Sequence, residues 1–193
     1  MEKSAVLKRE ADKLLADSGL LALLAEYGEV HLTGSYSYDL LTWRDIDICL
    51  VLITLRAEII LDIAKRVAAI PHIGSMYYRN EYVMRTRGNP EAFFLCVDFY
   101  LPGDIKWKVD ILVADDAEVQ RVLQAGRAMA DRLISETREA IVRIKTVICR
   151  RPGYRMKFGS RTVYEAVLDH GIRTVEEWDA WYRKKDGKQL SGA

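Results

Sequence analysis

The run Asp45-Ile46-Asp47-Ile48-Cys49-Leu50-Val51-Leu52 restricts the fold more than any other stretch of the chain. Polar and apolar residues alternate at its start and its end is wholly apolar, the pattern of a strand. Side chains two apart on a strand point the same way, so Asp45 and Asp47 leave one face while Ile46 and Ile48 enter a core. Two carboxylates side by side repel unless water or a cation relieves them, and hard oxygen ligands suit magnesium. A solvated strand face is the plain alternative for an Asp-x-Asp standing alone.

The remaining elements are built around that strand. Residues 4–26 carry helical periodicity through Val6, Leu14, Leu15, Leu21 and Leu24, with Gly19 as a break. Residues 30–33 form a short strand that stops at Gly34-Ser35, and one or two helical turns follow over 36–41. A helix spans about 55–69 and is closed by Pro71. Residues 73–88 are ambiguous: Tyr77, Tyr78, Tyr82 and Val83 suggest a strand, and Arg87-Gly88-Asn89-Pro90 a turn. Strands at 93–101 and 105–113 are joined by Pro102-Gly103-Asp104, which implies an antiparallel hairpin.

From Asp115 the character is helical to Cys149, where Arg151-Pro152-Gly153-Tyr154 intervenes. Ser160 is placed to cap the next helix and Gly171 to end it. Thr174 with Glu177 has capping-box spacing, and 184–193 reads as a frayed tail. The expectation is an α/β (α+β) fold: a small mixed β-sheet with helices packed on it and a helical C-terminal extension. A soft boundary near 115 separates a sheet-bearing unit, 1–114, from a helical one, 115–193.

Charge excludes one class of partner surface. With 29 basic against 28 acidic residues the net charge is +1, so no global field attracts nucleic acid and only a local patch would serve. Cys49, Cys96 and Cys149 lie far apart among apolar residues, which is neither zinc spacing nor a disulfide framework. The N-terminal residues mix acids and bases without an apolar signal core, and no membrane-length apolar run occurs. A cytoplasmic protein is expected.

Two more features bear on the Asp-x-Asp strand. Leu32-Thr33-Gly34-Ser35 ends a strand and enters a turn, where glycine admits a phosphate close to the backbone and the serine hydroxyl donates to it. Lys106-Trp107-Lys108-Val109-Asp110-Ile111-Leu112 supplies a further strand carboxylate. Asp98 competes for that role, but the hairpin sets it opposite Lys108, where a cross-strand ion pair accounts for it. Asp110 is favoured.

The combination resembles the DNA polymerase beta-like nucleotidyltransferase superfamily: Gly34-Ser35 after a strand, a short gap, Asp45-Ile46-Asp47, then Val109-Asp110-Ile111. The resemblance covers about residues 28–113. In size and layout the chain looks like small bacterial members, the lincosamide, aminoglycoside and minimal nucleotidyltransferases. It implies catalytic and metal-binding roles for Asp45, Asp47 and Asp110, with Gly34 and Ser35 holding nucleotide phosphates. It implies Mg2+, two ions or Mn2+ in its place, on a nucleoside triphosphate such as ATP. Pyrophosphate would leave as a nucleoside monophosphate passes to an acceptor hydroxyl, with Asp110 ligating the second ion or acting as base. A small-molecule acceptor is preferred to an RNA end or a protein. The rival readings are an antitoxin or partner protein of a toxin–antitoxin pair, and a nucleotide-binding regulator.

Other polar residues carry weaker expectations. His31, His72 and His170 are scattered without partners, and Arg44 should point away from the two acids. Tyr36 and Tyr38 stack on a base or pack on the sheet. Arg79, Arg85 and Arg87 form a solvated strip or face a substrate. Tyr154, Arg155, Lys157 and Arg161 are candidates to close over a nucleotide, while Trp178, Trp181 and Tyr182 have the spacing of packing residues.

Overall fold

The alternating strand lies near the middle of a five-stranded mixed sheet. Its members are β1 (Val30–Thr33), β2 (Asp45–Val51), β3 (Ile73–Asn80), β4 (Phe93–Leu101) and β5 (Ile105–Ala114), ordered β1-β2-β5-β4-β3. β2 and β5 run parallel, and the other neighbours are antiparallel. The expected hairpin is β4–β5, turning where Gly103 and Asp104 take φ of 80° and 57°. The structure, a computed structural model, describes residues 2–190 and side chains through Asp186.

One face of the sheet is a continuous apolar layer. Ile46, Ile48, Val97, Val109 and Ile111 are fully buried there against α2 (Leu20–Ala25) and α4 (Ala57–Ala68), with α1 (Glu2–Ser18) completing the cover. Each such aliphatic side chain contributes roughly 1.5–3 kcal/mol by leaving water. The break between α1 and α2 falls at Gly19, in the left-handed region at φ 68°. On the opposite face, α6 (Asp116–Ala130) lays Val119 and Leu123 over Cys49 and Leu112. That covers the later residues of β2 and β5 and leaves the earlier ones, the acidic ends, uncovered by this helix. Asp115 caps α6 by accepting from the Glu118 N–H at 2.9 Å.

A second apolar cluster joins α7 (Ser135–Ile148), α8 (Ser160–His170) and α9 (Val175–Leu190) through Ile141, Ile144, Ile148, Val163 and Trp178. Leu40, just after the β1 turn, is fully buried in it and ties it to the sheet-bearing part.

Several local expectations shift. The turn after β1 is α3 (Gly34–Ser37), starting two residues earlier than expected, and the ambiguous stretch is β3 followed by the single turn α5 (Glu81–Met84). Tyr82 and Val83 are therefore helical, and the tail expected to fray from 184 is helical to Leu190; residues 191–193 lie outside the described part. The cap of α8 is Gly159 rather than Ser160, which is the first helical residue. Gly171 ends that helix at φ 67°, and Thr174 and Glu177 exchange the two bonds of a capping box at 3.2 and 3.1 Å. Among the described residues no helix is long and apolar enough to cross a membrane.

Candidate functional site

Alternation along β2 and its register with β5 bring Asp45, Asp47 and Asp110 to one face. Asp47 lies directly across from Asp110, and Asp45 from Lys108. Paired strands are about 4.8 Å apart, so the four side chains occupy the corners of a small rectangle. Asp45 Oδ2 accepts from Trp43 Nε1 at 3.1 Å and from Arg155 Nη2 at 3.3 Å. Lys108 Nζ bonds Asp110 Oδ2 and stands 3.6 Å from Asp45 Oδ1.

The acids are not fully satisfied by these contacts. Asp45 Oδ1 and Asp110 Oδ1 are buried and accept no hydrogen bond. An unpaired buried polar atom costs about 1–3 kcal/mol, more when charged. The Asp47 carboxyl titrates well above the usual carboxylate range, first through loss of water, then through repulsion from Asp45 and Asp110. A divalent ion on oxygen ligands relieves all three effects, so the residues present fit Mg2+. The fit is not that of a finished cage: among the described residues no three His, Cys, Asp or Glu side chains already close on one point.

The phosphate-binding candidates lie against this group. Gly34 has φ 66°, and a Cβ there would come within 2.0 Å of Asp47 Oδ2. Both the left-handed backbone and the close approach require glycine. Ser35 follows, and its hydroxyl accepts from Lys145 Nζ at 2.8 Å and shares a 3.1 Å hydrogen bond with Tyr164.

Lys145 was not foreseen in the sequence. It is fully buried, also donates to the Leu40 carbonyl at 2.8 Å, and lies 4.8 Å from the Trp43 ring centre. Burial lowers its pKa to about 7, against the pull of Asp47 and Asp45. Tyr164, beside it, titrates far above its ordinary value because it is cut off from water. The missed signal was a lysine on the apolar stripe of α7, among Ile141, Ile144 and Ile148.

An open cleft of about 580 Å³ has Trp43, Arg150, Tyr154 and Arg155 in its wall; none of the three acids lines it, but Trp43 and Arg155 both bond Asp45. A second hollow, about 540 Å³ beside Phe158, Trp178 and Tyr182, has neither Trp43 nor Arg155 in its wall.

The other candidates separate from the site. Asp98 is opposite Lys108 as expected, but the expected ion pair between them is replaced: Asp98 binds Ser75 at 2.6 Å and Lys106 at 2.9 Å. Arg44 turns away and pairs with Glu10 at 2.8 Å. Tyr36 bonds Asp12, and the Tyr38 hydroxyl fits against Gly126. Arg79 pairs with Glu81, and Arg161 donates to the Gly88 carbonyl. His31 faces Glu29, and His170 lies against Trp181. Trp178 and Tyr182 stack on one another. Of the residues expected to close over a nucleotide, Arg155 alone bonds one of the three acids.

No family model and no curated protein matches the sequence. Solved structures do match the fold. A structure described as Cid1 with RNA terminal uridylyl transferase activity aligns with 85% of this chain and 48% of its own, at 12% identity and TM-score 0.57. Cid1 poly(U) polymerase with MgGTP aligns with 84% and 49% at 14% identity and TM-score 0.59. A cytoplasmic RNA terminal U-transferase aligns with 86% and 49% at 15% identity and TM-score 0.54. The chain thus spans about half the length of these structures. Its fold is that of these terminal uridylyl transferase and poly(U) polymerase structures.

Proposed function

We propose that the chain is a metal-dependent nucleotidyltransferase that moves a nucleoside monophosphate from a nucleoside triphosphate to an acceptor hydroxyl. The observation that carries this reading is the convergence of Asp45, Asp47 and Asp110 on one face, where buried oxygens of Asp45 and Asp110 accept no hydrogen bond and Gly34 lies against Asp47. The neighbours in fold support it, since structures of that fold are described with MgATP and MgGTP.

In this reading Asp45 and Asp47 hold Mg2+, with Asp110 the ligand for a second ion or the base. Bound metal neutralises triphosphate charge and supplies a Lewis acid at the phosphoryl oxygens. Ser35 and Lys145 hold the terminal phosphates, Ser35 by its hydroxyl and Lys145 by its ammonium. Gly34 keeps the backbone close enough for that contact. The acceptor oxygen attacks the α-phosphorus in line, the bond to the bridging oxygen breaks, and pyrophosphate leaves with that electron pair. The acceptor proton goes to a carboxylate, for which Asp110 is placed on the strand beside Asp47. From the helical part, Lys145 and Tyr164 stand at Ser35 and Arg155 at Asp45. The acceptor we favour is a small molecule, because a net charge of +1 gives a long nucleic acid no evident track.

The test is label transfer from α-phosphate-labelled ATP, UTP, GTP and CTP with Mg2+ to small-molecule, RNA and protein acceptors, beside pyrophosphate release. Asp45→Ala and Asp47→Ala should each lower transfer on the order of a hundredfold or more while leaving the circular dichroism unchanged. Asp110→Ala should cost far more than Asp98→Ala. Full activity in either of the first two variants, or the reverse ranking of the last two, would contradict the assignment.

A further inference from the structure

Lys108 stands inside the acidic group. It is directly across from Asp45 on the parallel neighbour and two residues before Asp110 on its own strand, so the sheet sends it to the same face as all three acids. Its Nζ bonds Asp110 Oδ2 and lies 3.6 Å from Asp45 Oδ1, and its side chain is 27% exposed. On the other side its cross-strand neighbour is Asp98, which would draw it off the site. That carboxylate is already taken by Ser75 and Lys106. The hydrogen bond and the close ion pair of Lys108 are therefore with Asp110 and Asp45 rather than with Asp98.

The other cations near the acids are anchored differently. Lys145 belongs to Ser35 and the Leu40 carbonyl, and Arg155 reaches Asp45 from a half-exposed position. Among the described residues, only Lys108 pairs with acids of both β2 and β5. A divalent ion between Asp45 and Asp110 would have to share that position with a positive charge. Like charges so close together repel strongly at the effective dielectric of a protein surface, and a doubly charged ion doubles the repulsion.

We propose that Lys108 replaces one of the two divalent ions expected at such a site. The centre then holds a single ion on Asp45 and Asp47, with the Lys108 ammonium fixed between Asp45 and Asp110 as a built-in second cation. This rests on the nucleotidyltransferase reading and deepens it. An ammonium is a point charge with three donors and needs no uptake from solution, so it screens Asp110 from Asp45 at all metal concentrations. Metal dependence of transfer should accordingly follow single-ion saturation. Removing the ammonium should open the second position.

The experiment counts ions rather than turnover. Mn2+ bound per chain is measured by paramagnetic resonance with a non-hydrolysable ATP analogue, corrected for Mn2+ on free analogue. Wild type and Lys108→Arg should bind one ion per chain, and Lys108→Ala and Lys108→Met two, each variant's fold being checked by circular dichroism. Two ions in wild type would overturn the proposal, and so would one ion in both uncharged variants that keep the fold. Failure of wild type to bind analogue or Mn2+, with no label transfer, would instead remove the nucleotidyltransferase reading on which it stands.

Discussion

Burying an ammonium costs several kcal/mol unless hydrogen bonds and opposite charge offset it, and Lys145 has Ser35, the Leu40 carbonyl and Tyr164 around its Nζ. Loss of water still prevails and lowers its pKa from 10.5 to about 7. Between those values the unfolded chain holds a proton that the folded chain lacks. Stability from this group therefore rises as pH increases from about 7 toward 10.5, and is least below the folded value. Lys145→Met should flatten that slope in urea unfolding measured across the window, without lowering stability at its acid end. The same change should weaken triphosphate binding by about 1.5–3 kcal/mol, the worth of a charged hydrogen bond. Wild-type binding above neutral pH should take up a proton, seen as a dependence of calorimetric heat on buffer. The acids were legible residue by residue because strand alternation alone puts Asp45 and Asp47 on one side. Lys145 was legible only as a misfit on an apolar stripe. The role of Lys108 was not, because it depends on which carboxylate Lys106 takes.

The turn from β1 into α3 joins backbone geometry to chemistry. Gly34→Ala must hold an L side chain at φ 66° and push its Cβ against the Asp47 carboxylate. The backbone term alone should cost about 1–2 kcal/mol in chemical denaturation, and nucleotide affinity should fall with it. In the helical part, Trp178 is 2% exposed, so Trp178→Ala should destabilise by about 3–5 kcal/mol in the same assay. β2 and the β4–β5 hairpin were readable from pattern and turn residues. β3 was not, since an edge strand with much of both faces open to water loses the clean alternation that marks a half-buried one. The start of α8 was misplaced by one residue for a similar reason. Serine is the better cap by type, but here Gly159 takes the extended conformation and Ser160 bonds Tyr154 instead.

Across the whole molecule the proposed ligand contacts draw on both parts of the chain, Asp45, Asp47 and Ser35 from one and Lys145 and Tyr164 from the other. A magnesium nucleotide at a hundred times its dissociation constant should stabilise the fold by about 2.7 kcal/mol, read as a rise in Tm. Asp47→Ala should lose that rise. The parallel pairing of β2 with β5 has a consequence for how the protein reaches its working state. Asp47 and Asp110 meet only when a long intervening stretch, including the whole of α4, β3 and β4, has been looped out and closed. Contacts of such high sequence separation form slowly, because their entropic cost precedes their reward. Helical signal should thus return early on refolding, whereas nucleotide capture should appear only in the slowest phase.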